Sequence, residues 1–264
     1  MSDNLQTKFA SLCDKCYFKK CWKCFLMRHI DFASYPANQI HVFPERYNSE
    51  WYTNNKWWPN GNSLDAKKKT EGNHPSIIKN IAGSGTVLDV GCGQGFLVRF
   101  LRELGVEAYG IDYSEDAIKT CVGNPKDYYC FDATHLLDGS GKEPWQTMFE
   151  KGVDMVIARE MFEHMSLKDA EIAFKGMLKI SKKYLYFTVW LNFSIFANDY
   201  EYGSDIRDDT HITFATRKFW EDRFKEWSGG RITELKEFEK SLDWLDKRRC
   251  FVYEKKSGGT DINV

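Results

Sequence analysis

A glycine-rich turn that follows a short apolar run is the feature that most constrains the fold of this chain. The apolar run 86–88 leads into Asp89, and glycines follow at positions 91, 93 and 95. This order predicts a buried strand, a tight turn and a helix, the arrangement in which a parallel sheet binds a nucleotide-like ligand. Glycine suits such a turn because a side chain would keep the backbone away from the ligand.

The position of the third glycine indicates which kind of ligand is bound. A dinucleotide fingerprint, G-x-G-x-x-G, would place a diphosphate on the helix N-terminus, but Phe96 occupies its third glycine position. The observed G-x-G-x-G pattern, with Asp89 two places before Gly91, resembles motif I of the class I S-adenosylmethionine-dependent methyltransferases. S-adenosylmethionine carries an ammonium and a sulfonium but no phosphate, so a carboxylate suits it better than a bare helix dipole. For a glycine triplet alone, an ordinary tight turn is the alternative.

Further segments follow in the order of that family. A predicted strand at 108–111 ends at Asp112, about 20 positions beyond the glycine turn, where an acid can accept hydrogen bonds from both ribose hydroxyls. A strand at 128–131 leads to Asp132, which the resemblance places against the adenine amino group. A fourth strand leads into Arg159, and this segment resembles the one after the family's fourth strand.

The resemblance therefore implies an S-adenosylmethionine site that is spread over these turns. Its predicted residues are Asp89, Gly91, Cys92, Gly93, Gly95, Asp112, Tyr113, Phe131, Asp132, Ala133, Arg159 and Glu160. The alternative is an α/β domain in which acids stand at these places by chance.

The whole pattern predicts an α/β fold with a seven-stranded, mostly parallel, doubly wound sheet whose last strand is antiparallel. Ser114 and Ser166 are predicted to cap helices. The other predicted elements are helices at 75–81, 96–104 and 217–227, a fifth strand at 184–191, and closing strands at 231–238 and 249–254.

Three parts of the chain are distinguished by their composition. Residues 1–70 form a Cys-rich, aromatic N-terminal extension, residues 71–256 form the domain that the resemblance implies, and residues 257–264 form a flexible tail. A chain of 264 residues is long enough for one large α/β core with an appended piece.

Composition limits the partners of this protein. The formal net charge is −1, so no global electrostatic attraction to nucleic acid or membrane is expected. The first ten residues are polar and lack the apolar region of a signal peptide. We therefore expect a cytoplasmic protein, a monomer or homodimer, that acts on a small-molecule acceptor without membrane binding; nucleic acid is not the expected partner.

Four cysteines within twelve residues form two C-x-x-C pairs, Cys13 with Cys16 and Cys21 with Cys24. Such pairs are typical of a tetrathiolate zinc site, although the four-residue spacer is short for zinc, which leaves an iron–sulfur cluster as the second choice. The alternative is that these thiols act as small apolar residues on one stripe of a helix that packs onto the core.

Clustered aromatic residues and a lysine run separate the cysteines from the glycine turn. Methyltransferases of the resembling class often fold an N-terminal piece over the cofactor, which makes Tyr47, Trp51, Tyr52 and Trp58 lid candidates, with plain packing as the alternative. The lysine run 67–69 is interpreted as a solvated surface.

The acceptor is expected to lie against the long polar segment 192–213, because loops at the carboxyl ends of strands line the ligand crevice. His164 and His211 are the candidate catalytic bases, since imidazole titrates near neutrality. Packing or orientation is the alternative role for His164. A Mg²⁺ site at Asp199, Asp205 and Asp208 is a further alternative.

These observations predict methyl transfer to oxygen or nitrogen of a small polar acceptor, such as a sugar or nucleotide-linked sugar. An RNA methyltransferase with the Cys-rich N-terminus as a clamp is the first alternative, because residues 1–30 hold six Lys and Arg against two Asp. A non-catalytic S-adenosylmethionine-binding or partner module is the second.

Overall fold

The computed structural model describes residues 64–137, 151–191, 211–213, 215–242 and 249–256. All of them belong to one compact unit, Pro36–Val264. Its α-helices are α1 (Leu64–Glu71), α2 (His74–Ala82), α3 (Phe96–Glu103), α4 (Glu115–Lys119), α5 (Leu167–Ile180) and α6 (Arg217–Trp227). Its strands are β1 (Thr86–Val90), β2 (Glu107–Asp112), β3 (Tyr128–Cys130), β4 (Val153–Arg159), β5 (Ser181–Thr188), β6 (Ile232–Glu234) and β7 (Cys250–Lys255). Short 3₁₀ helices lie at Pro125–Asp127, Ala133–His135, Phe162–His164 and Lys236–Ser241.

The strands form one seven-stranded sheet in the order β3-β2-β1-β4-β5-β7-β6. The five neighbouring strands β3, β2, β1, β4 and β5 pair in parallel, whereas β7 is antiparallel to both β5 and β6. The predicted doubly wound sheet with an antiparallel last strand is confirmed. From β1 the chain builds outward through β2 and β3, and then returns to the other side of β1 with β4. The crevice outside the carboxyl ends of β1 and β4 is therefore the place where such a sheet binds ligands.

Neighbouring residues of β5 reach the two faces of the sheet, because side chains alternate along a strand. Tyr186 belongs to the buried cluster that contains Ile78 of α2 and Leu101 of α3. Phe187 instead contacts the rings of Phe174 on α5 and Phe224 on α6. Helices thus cover both faces, and a shift of β5 by one residue would exchange two large buried aromatic side chains.

Aromatic rings fill the layer between the sheet and helices α5 and α6. Phe224 lies at its centre: it stacks on Phe174 with ring centroids 5.2 Å apart and meets Phe251 edge-on at 5.5 Å. Trp220 and Trp227 complete the contacts along α6. Much of the aromatic content of the described residues is therefore used for packing, since such rings bury large areas in specific geometries.

We expect Phe224→Ala to lower the free energy of unfolding by about 3–5 kcal/mol, because the fully buried ring leaves a cavity among rigid neighbours. Thermal denaturation should show a midpoint lower by roughly 10 °C. Lys225→Ala, at an exposed position of the same helix, is the control and should leave the midpoint nearly unchanged. Equal midpoints for the two variants would contradict the central role of this ring.

Three predictions about local structure were wrong in part. The strand predicted at 231–238 ends at Glu234, because the chain turns into a 3₁₀ helix at Lys236–Ser241; Leu235, just before this helix, and Phe238, within it, both pack onto the core. Strand β5 runs from Ser181 to Thr188 and not over the predicted 184–191, since its exposed lysines at 182 and 183 hide the apolar pattern at its start.

The lysine run is also not uniformly solvated. Lys67 is buried, with its ammonium 5.5 Å from the centroid of the Phe96 ring, whereas Lys68 and Lys69 are exposed. Burial lowers the pKa of Lys67 to about 8. This lysine is on helix α1, so the segment before residue 71 supplies a side chain that contacts the helix after the glycine turn.

The predicted caps are confirmed: Ser114 accepts a hydrogen bond from the amide of Ala117, and Ser166 accepts one from the amide of Asp169. Among the described residues, no helix combines the length and the apolar character that crossing a membrane requires.

Candidate cofactor and acceptor site

The glycine turn is fixed by the backbone of the neighbouring strand and by a tyrosine. The amides of Gly91 and Cys92 both donate to the carbonyl of Ile111, at 2.8 and 3.0 Å. Gly95 has a φ of 74°, and a Cβ built on it would lie 2.2 Å from the ring of Tyr128. A side chain at position 95 would therefore both strain the backbone and collide with that ring. The turn needs glycine here for its own packing as well as for ligand access.

Asp112 joins the ends of β1 and β2. Its two carboxylate oxygens accept hydrogen bonds from the amides of Gly93 and Ser114, each at 2.9 Å. Burial raises the pKa of Asp112, and these two backbone bonds oppose the rise because they stabilise the charged form. Each oxygen retains a lone pair for a ligand hydroxyl.

Asp89 is buried at the end of β1, with 4% of its surface exposed. Burial, and then the negative charge of Asp112, raise the pKa of Asp89 to about 8. Two carboxylates thus share one water-poor edge of the sheet. A ligand that brings positive charge to this edge would be stabilised by both of them.

The residues after β3 complete this edge of the sheet. The amide of Phe131 donates to the carbonyl of Asp112 at 2.8 Å. Asp132 caps the following 3₁₀ helix, since one of its oxygens accepts bonds from the amide and the hydroxyl of Thr134. Ala133 begins that helix, and the backbone carbonyl of Tyr113 accepts a bond from the Cys130 thiol.

Two thiols lie beside the turn. Cys92 and Cys121 both donate to the carbonyl oxygen of Gly93, at 3.6 and 3.4 Å. The hydrogen bond with Cys121, followed by burial, raises the pKa of Cys92 well above its usual value. Cys92 is therefore a neutral thiol, a small apolar contact at the turn and not a nucleophile.

The segment after β4 is strained and rich in ion pairs. Glu160 has a φ of 50°, unusual for a residue with a side chain, and such strain is often found at functional sites. Burial would raise the pKa of Glu160, but Arg249, Thr188 and Arg159 outweigh it and hold that pKa below its usual value. Arg249 pairs with Glu160 at 3.3 Å, and the guanidinium of Arg159 pairs with Glu71 of α1.

Glu163 is fully buried and connects segments that are far apart in sequence. Its Oε1 accepts a hydrogen bond from the amide of Trp190 at 3.0 Å, and its backbone carbonyl accepts bonds from the amides of Ile212 and Thr213. Burial, and then the charge of Glu160, raise the pKa of Glu163 well above its usual value. Two carboxyl groups three positions apart thus have pKa values displaced in opposite directions.

The two predicted histidines lie together. The ring centroids of His164 and His211 are 4.6 Å apart at an angle of 67°. Trp190, 37% exposed, lies 6.1 Å from His211, and the guanidinium of Arg249 lies 5.6 Å from the Trp190 ring. His211 therefore lies beside an exposed aromatic ring that also contacts a cation.

Met161 connects the histidine pair to the glycine turn. A Cβ built on Gly91 would lie 3.0 Å from the side chain of Met161, and the amide of His164 donates to the carbonyl of Met161 at 3.0 Å. Met161 thus packs against the glycine turn at the end of β1 and lies three residues before His164, in the segment that follows β4.

Sequence reasoning missed Glu163, Trp190 and Arg249 as members of this site. Their roles depend on which side chains converge in space, although the sequence Glu160-Met161-Phe162-Glu163-His164 is itself dense in ionisable groups. The other candidates lie outside the described residues. They are Cys13, Cys16, Cys21, Cys24, Tyr47, Trp51, Tyr52, Trp58, Asp199, Asp205 and Asp208.

Comparison with known protein families matches residues 66–228 to the family described as "Methyltransferase domain". This match covers more than half of the chain, and it includes the glycine turn, Asp112 and both histidines. The chain belongs to the methyltransferase domain family. Its sheet and its G-x-G-x-G turn are those of the class I, S-adenosylmethionine-dependent group that the sequence resembles.

Individual relatives of this methyltransferase domain differ in their acceptors. A ubiquinone biosynthesis O-methyltransferase from Hydrogenovibrio crunogenus is 32% identical over 113 residues, which cover 42% of this chain and 46% of that protein. A tRNA N(3)-methylcytidine methyltransferase from Schizosaccharomyces pombe is 22% identical over 158 residues, covering 56% and 50%. The chain thus spans about half the length of the curated relatives it matches.

Solved structures agree in fold with this methyltransferase domain. A SAM-dependent methyltransferase from Archaeoglobus fulgidus has a TM-score of 0.52 at 17% identity, with 74% of this chain and 95% of that chain covered. At this identity the likeness concerns the fold alone.

The described residues fit S-adenosylmethionine by their chemistry. The glycine turn leaves room at the backbone, and the buried carboxylates Asp89 and Asp112 suit a ligand with an ammonium, a sulfonium and two ribose hydroxyls. The residues that would hold it are those of the glycine turn together with Asp89, Asp112 and Asp132.

Binding of this cationic ligand should release protons. At pH 6.5, below the pKa of about 8, Asp89 is largely protonated in the free protein, and a bound cation lowers that pKa. We expect close to one proton to be released per S-adenosylmethionine bound, and the affinity should increase as pH rises toward 8. Calorimetry in buffers of different ionisation enthalpy measures this release.

Asp89→Asn is the control, because it keeps the size of the side chain and removes the titrating group. At pH 6.5 the ligand's own amino group stays protonated, so a difference between the two proteins reports Asp89 alone. Equal proton release in both would contradict the role of Asp89.

Proposed function

We propose that this protein transfers a methyl group from S-adenosylmethionine to a small polar acceptor, and that the acceptor atom is a hydroxyl oxygen in preference to an amine nitrogen. A sugar or a nucleotide-linked sugar is the first acceptor class to test. The observation that carries the proposal is the packing of Met161 against Gly91 of the glycine turn, three residues before His164, whose ring pairs with that of His211.

On the donor side, the protein holds S-adenosylmethionine and orients its methyl group. Asp112 is preorganised by the amides of Gly93 and Ser114, so its carboxylate accepts ligand hydroxyls without moving. S-adenosylmethionine supplies an electrophilic methyl on a sulfonium: the acceptor oxygen bonds to that carbon as the carbon–sulfur bond breaks, and the electron pair stays on sulfur. Position therefore contributes more to such a reaction than acid–base chemistry.

On the acceptor side, a hydroxyl must lose its proton as the new bond forms, and this is the reason for preferring oxygen. His164 and His211 supply two imidazoles at the same place, which is more than orientation of a neutral amine requires. The exposed ring of Trp190 offers an apolar face to a sugar or aromatic ring, and Arg249 lies over that ring.

The relatives support oxygen without deciding it. Two of the curated relatives are described as ubiquinone biosynthesis O-methyltransferases. The relative from Schizosaccharomyces pombe methylates tRNA at nitrogen by its description, which makes RNA the second candidate. The formal net charge of −1 supports a small acceptor over RNA.

A labelled-methyl transfer screen tests the proposal. The full chain is incubated with methyl-labelled S-adenosylmethionine and three pools: sugars and sugar nucleotides, phenols and small amines, and tRNA. Label in a hydroxylated small molecule is the expected result. Label confined to tRNA would overturn the proposal in favour of the RNA alternative. Tight S-adenosylmethionine binding without transfer to any pool would favour a non-catalytic binding module.

The N-terminal cysteines enter the proposal as a zinc site held by Cys13, Cys16, Cys21 and Cys24, with an iron–sulfur cluster as the second choice. Elemental analysis after anaerobic purification should show about one zinc ion per chain that is lost when the four cysteines are replaced by Ser. If the protein contains no metal after anaerobic purification, a metal site at these cysteines is excluded. A cytoplasmic location and a monomeric or homodimeric state also belong to this proposal, and they are tested by fractionation and light scattering.

A further inference from the structure

The side chains of Glu163, His164 and His211 form a cluster of three metal-ligating groups, in which a buried carboxyl group joins the two imidazoles. One ligand atom from each residue, a carboxylate oxygen or an imidazole nitrogen, lies within 4.8 Å of the others. We propose that this cluster is a binding site for one divalent metal ion, with zinc as the best-matched ion, and that the ion binds the acceptor hydroxyl. The site is separate from the four N-terminal cysteines.

The donor set determines the class of ion. Two imidazoles and one carboxylate form a common set for catalytic zinc, and related sets hold other divalent transition metals. Such a site keeps open coordination positions for water or substrate. Magnesium and calcium prefer sites composed almost entirely of oxygen ligands, so they match this cluster less well.

Glu163 provides an independent observation that points to a ligand. Its residue is 0% exposed, and its Oε2 has no hydrogen-bond partner within the described part of the chain. Its Oε1 is already used by the amide of Trp190. A buried carboxylate oxygen without a partner costs free energy, and a metal ion at the cluster would remove that cost.

The backbone holds the three ligands together although they come from distant parts of the sequence. Glu163 and His164 end the 3₁₀ helix after β4, whereas His211 belongs to the segment that precedes α6. The amides of Ile212 and Thr213 donate to the backbone carbonyl of Glu163, at 2.8 and 2.9 Å. This contact keeps His211 beside Glu163 before any ion binds, which reduces the ordering cost of binding.

The ion gives the histidine pair a specific task, and this part of the inference rests on the proposed function. A hydroxyl bound to a divalent cation has a strongly lowered pKa, so it loses its proton to solvent near neutral pH. The resulting oxygen anion remains attached to a fixed point of the crevice. Met161, three residues before His164, packs against the glycine turn, so the proposal has this oxygen anion attack the methyl group of the donor held at that turn.

Zinc binding tests the site without any knowledge of the acceptor. The experiment uses a variant of the full chain without the competing thiols, in which Ser replaces Cys13, Cys16, Cys21 and Cys24. After dialysis against a chelator, calorimetric titration with Zn²⁺ alone should show one ion bound per chain. Glu163→Gln and His211→Ala, made in the same background, should each weaken binding by about 100-fold or more, because each removes one of three ligands.

His135→Ala is the matched control, since it removes an exposed histidine outside the cluster and should leave zinc affinity unchanged. Thermal melts of each variant identify any that fail to fold. Because His211 is only partly buried, His211→Ala should disturb the fold less than Glu163→Gln does. Absence of saturable zinc binding, or equal affinity in folded Glu163→Gln, would overturn the inference. Full methyl transfer by the metal-free chain would likewise overturn the ion's role while leaving the proposed function intact.

Discussion

Replacing Asp112 with alanine is expected to abolish measurable binding of S-adenosylmethionine. The carboxylate is proposed to accept two ribose hydroxyls, and each hydrogen bond to a charged group contributes about 1.5–3 kcal/mol, so the affinity should fall by at least about 100-fold. The same change leaves the amides of Gly93 and Ser114 without their acceptor, which loosens the turn itself. Isothermal calorimetry of the folded variant measures the loss.

Asp116→Ala is the control for this experiment, because that carboxylate lies four positions away on α4 with 41% of its side chain exposed. Its affinity for S-adenosylmethionine should match that of the unmodified protein. If Asp112→Ala binds within about threefold of the unmodified protein, the assignment of the ribose-binding acid is wrong, whatever the acceptor proves to be.

Substitution of His211 by alanine is expected to lower turnover by about 10²–10⁴-fold, the usual contribution of a positioned group that assists proton removal. The affinity for S-adenosylmethionine should change by less than about twofold, because His211 pairs with His164 and is not among the residues proposed to hold the cofactor. Single-turnover transfer of labelled methyl to the acceptor that the screen identifies, combined with calorimetry, separates the two quantities.

The matched variant His135→Ala should retain its turnover. If His211 only bound the acceptor, its loss would instead raise KM and leave kcat unchanged. Comparing the changes in kcat and KM therefore distinguishes a role in the chemical step from a role in binding. Unaltered turnover and KM in His211→Ala would remove this residue from the acceptor site and would weaken the case for oxygen as the methylated atom.

The fold was predictable from the sequence because its signals are local. The run into Asp89, the glycines that follow it and the acid at position 112 each occupy a fixed place in a strand–turn–helix unit. Their order along the chain is enough to predict the sheet. The helix caps at Ser114 and Ser166 were predictable for the same reason, since a cap depends on residues within one turn.

The proposed acceptor side was predictable only in part, because it is assembled from distant segments. The two histidines were named from their positions after β4 and before α6, but their 4.6 Å separation depends on bonds between Glu163 and residues 212 and 213. In the sequence, nothing distinguishes Glu163 from any other acidic residue next to a histidine. Its burial and its contact with Trp190 arise from tertiary packing. The burial of Lys67 was missed in the same way, since the adjacent lysines are exposed.

The contacts of Glu163 also bear on how acceptor specificity can change during evolution. One residue binds the chain at both ends of the segment 192–210: its side chain holds the amide of Trp190, and its carbonyl holds the amides of Ile212 and Thr213. Because the ends are fixed independently of what lies between them, insertions there pay only the slowly growing entropy of loop closure, about 0.6 kcal/mol for each doubling of length. If this segment contacts the acceptor, as proposed, its length can change without altering Asp89, Asp112 or the glycine turn.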